Sequence, residues 1–137
     1  MAIINGTEGN DVLNGTSFDD VIDGGNGSDT IFGNAGNDEL RSGVVTERAI
    51  IYQGLSVIDV LYGGDGDDHL LPSSLSADLV DMDYDSWYSY YLQCDMYGGA
   101  GNDALAGFYV LNGIGSLVSN LYGGEGDDYY RTYAKYN

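Results

Sequence analysis

A nine-residue repeat is the feature that most constrains the fold of this chain. Seven units begin at Gly6, Gly15, Gly24, Gly33, Gly63, Gly98 and Gly123. The first four follow one another without a gap, and each unit has glycine at position 1 and aspartate at position 6. Position 8 is aliphatic in every unit except the last, where it is Tyr130. One glycine–aspartate turn would mean little, but seven in one register predict a repeat architecture.

The spacing of the repeat predicts an all-β fold built from short strands. Positions 1 to 6 suit a turn, because glycine permits positive φ and close backbone approach. Positions 7 to 9 suit a three-residue strand with position 8 pointing inward. Strand, turn, strand and turn make a coil of 18 residues, and successive coils stack in parallel about 4.8 Å apart. Because one apolar residue per strand cannot support a lone coil, the coils must stack to build a core.

The later units keep this register despite their wider spacing. Turns at Gly6 and Gly24 lie on one edge, which we call the loop edge, and all the other turns lie on the regular edge. Leu61, Met96 and Leu121 each stand two residues before a Gly-Gly turn and occupy position 8 of degenerate units. Enlarged loops are therefore expected on the loop edge, over residues 42–58, 72–93 and 107–118. We expect one domain over 1–137, with regular repeats at 6–41, loop-expanded coils at 42–131 and a tyrosine-rich cap at 129–137.

Charge and composition exclude several classes of partner. Acidic residues number 22 against 4 basic ones, so the net charge is −18. This charge disfavours nucleic acid and anionic membrane surfaces. Cys94 is the lone cysteine, which excludes an intrachain disulfide and a cysteine-rich metal site. No apolar stretch approaches the ~20 residues of a membrane helix, so we expect no membrane insertion.

Stacked coils would pile the position-6 aspartates on top of one another. Asp20, Asp38, Asp68, Asp103 and Asp128 would form one column, crowded further by Asp19, Asp67 and Asp127. Like charges about 4.8 Å apart repel unless a cation lies between them. Calcium suits such a site because it takes six to eight oxygen ligands in flexible geometry, whereas magnesium demands a tighter octahedron.

The units resemble the GGxGxDxUx nonapeptide of the RTX (repeats-in-toxin, haemolysin-type) family, a calcium-binding β-helix repeat. The resemblance implies a parallel β-roll, which is a right-handed β-solenoid of stacked 18-residue coils, with calcium held between turns of the same edge. It implies carboxylate ligands from Asp11, Asp20, Asp29, Asp38, Asp68, Asp103 and Asp128. It implies main-chain carbonyl ligands from the turns, at Gly9, Gly25, Gly27, Gly36, Gly64, Gly66, Gly99, Gly101, Gly124 and Gly126. About five ions would bind, at the pairs Asp11/Asp29, Asp20/Asp38, Asp38/Asp68, Asp68/Asp103 and Asp103/Asp128.

Two functions from different classes remain open. The first is a calcium-binding structural module that folds on calcium in the extracellular space, exported from a bacterium without an N-terminal signal peptide. The second is a calcium-dependent module for a glycan or cell surface, as in an adhesin or the accessory domain of a secreted enzyme. Its binding residues would be Tyr62, Tyr97 and Tyr122, in an outward ladder with Phe32, and Trp87 in the loop at 72–93.

Catalysis is not expected, because the chain offers no nucleophile–base constellation. The open ends of the roll could associate end to end.

Overall fold

The structure, a computed structural model, describes residues 1–45, 56–75, 90–108 and 115–132. The described residues form strands only: β1 (Ile3–Asn5), β2 (Val12–Asn14), β3 (Val21–Asp23), β4 (Thr30–Ala35), β5 (Glu39–Arg41), β6 (Val44–Val45), β7 (Ser56–Asp65), β8 (His69–Leu71), β9 (Ser74–Leu75), β10 (Tyr90–Ala100), β11 (Ala104–Ala106), β12 (Gly115–Glu125) and β13 (Tyr129–Arg131). No helix within these ranges is long and apolar enough to cross a membrane.

The strands form two parallel sheets between which the chain alternates. One sheet has the order β1-β3-β5-β8-β11-β13, and the other has the order β2-β4-β7-β10-β12. Strands β6 and β9 pair separately, also in parallel. Each coil thus contributes one strand to each sheet, which confirms the predicted all-β parallel β-roll.

The register across the loop insertions is the one the repeat predicts. In the second sheet, Ile31 pairs with Leu61, Leu61 with Met96, and Met96 with Leu121. In the first sheet, Leu40 pairs with Ile22 on one side and Leu70 on the other. The insertions therefore do not shift any described strand by a residue, since a one-residue slip would turn the apolar side chains outward.

The core lies between the two sheets and is a double row of position-8 side chains. The fully buried members are Ile22, Leu40 and Leu70 from the first sheet and Ile31, Leu61 and Met96 from the second. Burying one such side chain stabilises the fold by about 1.5–3 kcal/mol, so the core grows coil by coil. At the first coil, by contrast, Ile3 and Val12 point outward and are about 70% exposed (70% and 69%).

The strands of the second sheet begin earlier than the sequence predicts. β10 starts at Tyr90, inside the loop expected over 72–93, and β7 and β12 start at Ser56 and Gly115. The reason is an alternation that continues upstream of the repeat: Leu92 and Cys94 are buried while Tyr91 and Gln93 face outward. The segments before these strands are therefore shorter than the predicted loops. The prediction missed the added strand residues because their period-2 pattern lies in a segment that lacks glycine turns.

Tyr130 is not buried in the core as its position-8 place predicts. It is 48% exposed, because no further described coil packs against it. Its hydroxyl accepts a hydrogen bond of 2.8 Å from the Gly123 N–H. In a regular coil, the N–H of the position-1 glycine donates instead to a main-chain carbonyl of the next coil. The Gly15 N–H, for example, donates to the Phe32 carbonyl oxygen. Tyr130 thus caps the last turn by its hydroxyl; Tyr133 and Tyr136 of the expected cap lie outside the described residues.

Candidate metal centre

The position-6 aspartates form one column along each edge of the roll. In each column the Oδ1 of one aspartate accepts a hydrogen bond from the main-chain N–H of the aspartate one coil earlier. On the regular edge these N–O distances are 2.7 Å (Asp20 to Asp38), 2.8 Å (Asp38 to Asp68), 2.8 Å (Asp68 to Asp103) and 3.0 Å (Asp103 to Asp128). On the loop edge the Asp11 N–H donates to Asp29 at 2.9 Å. The structure therefore brings together all seven predicted aspartates in the predicted order.

The second carboxylate oxygen of four of these aspartates is buried and receives no hydrogen bond. These are the Oδ2 atoms of Asp29, Asp38, Asp68 and Asp103, and no donor among the described residues reaches them. Their side chains are buried, with residue exposures of 1–2%. An unpartnered buried polar atom costs about 1–3 kcal/mol, and more when it is charged. A bound cation would satisfy these atoms, which is the first indication of ion sites.

Each unpartnered oxygen faces a main-chain oxygen of the next coil across a glycine. At Gly24, an added Cβ would lie 2.5 Å from Asp29 Oδ2 and 2.5 Å from the Ser42 carbonyl oxygen. A Cβ at Gly33, Gly63 or Gly98 would collide in the same way with the turn's own aspartate and the next coil's glycine carbonyl. Only glycine leaves this space open, and oxygen atoms line it. Such a donor set fits a hard cation such as calcium.

Nearly all of the predicted carbonyl glycines share one backbone conformation. Those with positive φ are Gly25, Gly27, Gly36, Gly64, Gly66, Gly99, Gly101, Gly124 and Gly126. Gly9 is the exception, and Asn34 takes the position-2 place with a φ of 81°. Asparagine tolerates the left-handed region better than other side chains do, so this unit keeps the turn without its second glycine.

Two aspartates near the N-terminus have a partner that the others lack. Asp11 Oδ2 accepts hydrogen bonds from the Thr7 N–H at 2.6 Å and the Thr7 hydroxyl at 2.8 Å. Asp20 Oδ2 accepts the equivalent pair from Thr16 at 2.6 and 2.8 Å. The main-chain bond from Thr16 is the first cause of the lowered pKa of Asp20. Threonine in place of the second glycine therefore satisfies the carboxylate within its own turn.

In the glycine–aspartate turns without threonine, burial makes the column carboxylates resist ionisation in the absence of metal. Burial, with the charges of Asp103 and Asp38, raises the pKa of Asp68 to about 7. Burial, together with the Asp59 charge, raises the pKa of Asp29 to about 6. A divalent cation beside these groups would favour the charged form and reverse both effects.

Asp59 is a member of the loop-edge column that the sequence prediction missed. It is fully buried, and its Oδ1 accepts the Asp29 N–H at 2.9 Å. Its Oδ2 accepts the Ser73 hydroxyl at 2.8 Å, so serine satisfies the oxygen that is unpartnered in Asp29. Burial raises the pKa of Asp59, and hydrogen bonds from Ser73 and Ser42 oppose that shift. The signal was available, because Asp59 stands two residues before inward-facing Leu61, as Asp29 stands before Ile31.

Cys94 occupies the same place one coil later. It is fully buried, as a small apolar side chain would be, and its Sγ lies 3.2 Å from the Ser42 Oγ. Burial raises the pKa of the Cys94 thiol to about 12. On the loop edge, the glycine–aspartate turns thus end with the turn at Gly24. In the later coils Ser42 contacts Cys94, and Ser73 contacts Asp59.

A second, exposed column runs beside the first on the regular edge. Its members are the position-5 residues Asp19, Asn37, Asp67, Asn102 and Asp127. The side-chain oxygen of each of the first four accepts the position-5 main-chain N–H of the next coil, at 2.8–3.1 Å. Because asparagine alternates with aspartate, successive carboxylates in this column are two coils apart, which lowers their mutual repulsion.

The predicted aromatic ladder is present on the outer face of the second sheet. The rings of Phe32, Tyr62, Tyr97 and Tyr122 stack in sequence with centroid separations of 5.0, 5.0 and 4.9 Å. Their interplanar angles of 4–12° show that neighbouring rings cover each other's faces. The inner rings therefore offer edges and hydroxyls to solvent. Trp87, which the glycan-binding hypothesis also names, lies outside the described residues.

No group of three or more histidine, cysteine, aspartate or glutamate side chains converges within the described ranges. The carboxylates are instead arranged singly along the columns, so an ion here must draw most of its ligands from main-chain oxygens. That is the arrangement a repeated glycine–aspartate turn produces.

Comparison with known protein families agrees with this geometry. Residues 5–40, 53–72, 95–107 and 120–132, more than half of the chain, match the RTX calcium-binding nonapeptide repeat. The chain belongs to the RTX calcium-binding nonapeptide repeat family. RTX repeats bind Ca²⁺, and the family is defined by this repeat and not by a catalytic motif. Searches of curated proteins and of solved structures gave no match.

Proposed function

We propose that this RTX roll is a calcium-dependent structural module that stays largely unfolded without calcium and folds when it reaches the extracellular space. The observation that carries the proposal is the set of buried Oδ2 atoms without hydrogen-bond donors, each facing a main-chain oxygen of the next coil. Without an ion, folding must bury these carboxylates at a cost; with an ion, the same contacts tie adjacent coils together.

The energetics support a folding switch. Extracellular calcium modules bind with Kd of roughly 10⁻⁴–10⁻³ M. Calcium at ten times Kd would stabilise the roll by about 1.4 kcal/mol per site. About five sites would together contribute about 7 kcal/mol, which is comparable with the whole stability of a domain, about 5–15 kcal/mol.

Secretion fits this behaviour. Proteins with RTX repeats are typically exported by type I secretion. A chain that remains loose in the low calcium of a bacterial cytosol can be exported unfolded and fold on arrival. The net charge of −18 supports this, because it opposes collapse until cations bind.

The native cysteine provides the test. Cys94 is fully exposed only if the roll opens, so we expect a thiol reagent to label it rapidly in chelator and very slowly in millimolar calcium. Far-UV circular dichroism should gain β-structure over the same calcium titration. A chelated protein that keeps both its β-signal and its protected thiol would refute folding by calcium.

A matched pair of variants connects this switch to the column. Asp68→Asn removes a buried column carboxylate, whereas Asp65→Asn removes an exposed carboxylate from the same turn. We expect Asp68→Asn to raise the calcium concentration needed for folding several-fold and Asp65→Asn to leave it nearly unchanged. Equal shifts would indicate that general charge, and not the column, governs calcium binding.

The glycan-binding alternative has less support from the geometry. Sugar rings stack on open aromatic faces, but the faces of Tyr62 and Tyr97 are covered by their neighbours in the ladder. Binding at Tyr62, Tyr97, Tyr122 and Trp87 stays a prediction, as does end-to-end association. End-to-end association is supported by the inward-facing Ile4 and Leu13 of the first coil, which are only partly buried.

A further inference from the structure

The first turn on each edge of the roll has a backbone unlike that of the later glycine–aspartate turns. In those later turns the residues at positions 2 and 4 have positive φ: Gly25, Gly27, Asn34, Gly36, Gly64, Gly66, Gly99, Gly101, Gly124 and Gly126. In the first turn of the loop edge these positions hold Thr7 and Gly9, and in that of the regular edge they hold Thr16 and Phe18. None of these four residues has positive φ. Because each later turn packs on a preceding turn, the left-handed conformation accompanies stacking.

Position 4 is where a stacked turn has no room for a side chain. A Cβ at Gly36 would lie 2.5 Å from main-chain atoms of both Phe18 and Asp19 in the preceding turn. The same collision with the preceding turn would occur at Gly27, Gly66, Gly101 and Gly126. Phe18 holds this position in the first regular-edge turn, where its side chain is 65% exposed. To let another turn pack before it, Phe18 would need a backbone conformation that bulky residues rarely adopt and a space that its Cβ would fill.

The carbonyl oxygen that would face a preceding turn is already engaged on the regular edge. In the stacked turns this oxygen approaches the position-1 glycine and the position-6 aspartate of the preceding turn, as at Gly33, Gly63, Gly98 and Gly123. The Gly15 carbonyl is the equivalent group in the first turn, and it accepts a hydrogen bond of 3.0 Å from the Asn34 side-chain amide. Asn34 stands where the later regular-edge turns have glycine. The chain thus supplies its own partner for the carbonyl that a preceding turn would use.

The aspartate column of the regular edge also ends at this point. Ala2 occupies the position-6 place one coil before Asp20, and its main-chain N–H donates to Asp20 Oδ1 as an aspartate N–H does in the later coils. Asp20 Oδ2 accepts its hydrogen bonds from Thr16 within the same turn. Alanine therefore continues the hydrogen bond of the column but brings no carboxylate that could share a cation with the turn at Gly15.

From these observations we propose that Thr16, Phe18 and Asn34 form a stop that closes the N-terminal end of the regular edge. The stop excludes a further glycine–aspartate turn, whether that turn belongs to the same chain or to a second copy. Exposed strand edges otherwise invite growth of one roll on another into fibres. The stop limits the predicted end-to-end association, because a second roll cannot continue the first in the geometry of the repeat. This inference rests on the proposed calcium-folded roll.

A grafted turn tests the stop. The sequence Gly-Gly-Ala-Gly-Asn-Asp of the turn at Gly98 is added at the N-terminus so that its aspartate replaces Ala2. In the otherwise unaltered chain, we expect native mass spectrometry to show no additional calcium. In the variant Thr16→Gly/Phe18→Gly/Asn34→Gly, which has the repeat glycines, we expect the graft to add one ion relative to the same variant without it. An additional ion in the unaltered background, or none in the glycine variant, would overturn the stop.

A matched variant assigns the effect to the aromatic ring. Thr16→Gly/Asn34→Gly keeps Phe18, so we expect the graft to bind no additional ion in this background. A gain of one ion there would overturn the role of Phe18.

Hydrogen exchange of the grafted turn gives a readout that does not depend on counting ions. The amides of the graft should exchange freely while Phe18 is present and should be protected in the glycine variant. Protected graft amides in the unaltered background would overturn the stop, and this measurement stands even if the glycine variant fails to fold. If the chain without a graft binds no calcium, the proposed function fails; if it binds calcium and the graft stacks beside Phe18, only this inference fails.

Discussion

At the scale of the residue, the functional unit is a glycine and an aspartate five positions apart. The glycine leaves room for the aspartate Oδ2 and for a main-chain oxygen of the next coil, and any side chain would fill that room. Where a hydroxyl is nearby, as with Thr7, Thr16 or Ser73, it satisfies the carboxylate instead. A single hydroxyl residue therefore decides whether the buried carboxylate has a protein donor.

Gly98→Ala tests this unit directly. The new methyl group would meet Asp103 Oδ2 and the Gly123 carbonyl oxygen, so we expect a loss of about 1–3 kcal/mol in the calcium-loaded stability. Gly9→Ala is the matched control, because its Cβ would contact nothing closer than the Thr7 Oγ1 at 3.9 Å. Chemical denaturation in calcium measures both variants. A Gly98→Ala protein as stable as Gly9→Ala would show that the space beside Asp103 is not needed.

At the scale of the element, each strand is too short to be stable by itself and depends on the strands above and below it. Inward, the position-8 side chains stack into the core; outward, the position-9 rings stack into the aromatic ladder. Both rows follow from the register, since parallel pairing puts the same repeat position at the same height in every coil. The ladder therefore serves to hold successive coils in register.

Removing one ring should weaken the roll according to the number of stacked neighbours. Tyr97 stacks on both Tyr62 and Tyr122, while Tyr122 has one stacked partner among the described residues. Each aromatic pair is worth about 0.5–1.5 kcal/mol. We expect Tyr97→Ala to cost about twice as much stability as Tyr122→Ala in calcium, and Tyr97→Phe to cost little because the ring remains. If Tyr97→Ala is as stable as the unaltered chain but loses a glycan ligand, the ladder is a binding surface.

At the scale of the whole molecule, the roll balances strong negative charge against bound cations. About five divalent ions would neutralise more than half of the net charge of −18. The buried carboxylates are the part of this charge that matters for folding, because their pKa values rise when the coils stack without metal.

The stability of the metal-free protein should therefore fall as the pH rises. The pKa of Asp68 goes from 3.8 to about 7 in the folded chain, so the folded state holds a proton that the unfolded state releases. Its favourable contribution is complete below about pH 4 and is lost as the pH rises through about 7. We expect metal-free protein to show more β-structure at pH 5 than at pH 7.5.

The calcium-loaded protein should show the opposite trend, because binding requires ionised carboxylates. Circular dichroism at fixed ionic strength measures both forms. Asp68→Asn is the control and should flatten the metal-free profile. A metal-free chain that gains β-structure as the pH rises would show that the raised pKa of Asp68 does not govern its stability.

Most of the roll could be predicted from the sequence because the repeat is local. The 18-residue coil, the alternation between two sheets, the pairing of Leu61 with Met96 and the order of the aspartates all follow from counting positions. The early start of β10 was missed although its period-2 alternation is in the sequence, because that segment lacks glycine turns. The exposure of Tyr130 could not be predicted from the sequence, since it depends on which neighbouring strand is present to pack against.

The sequence by itself determined which residues lie side by side in neighbouring coils, because each repeat position pairs with the same position of the next coil. Only the tertiary structure decided which oxygens are left without a donor. That depends on contacts that the repeat pattern does not specify, such as Ser73 with Asp59 and Ser42 with Asp29. Two aspartates at the same repeat position can thus differ in chemistry, because one meets a hydroxyl and the other meets a carbonyl oxygen, which gives it no donor.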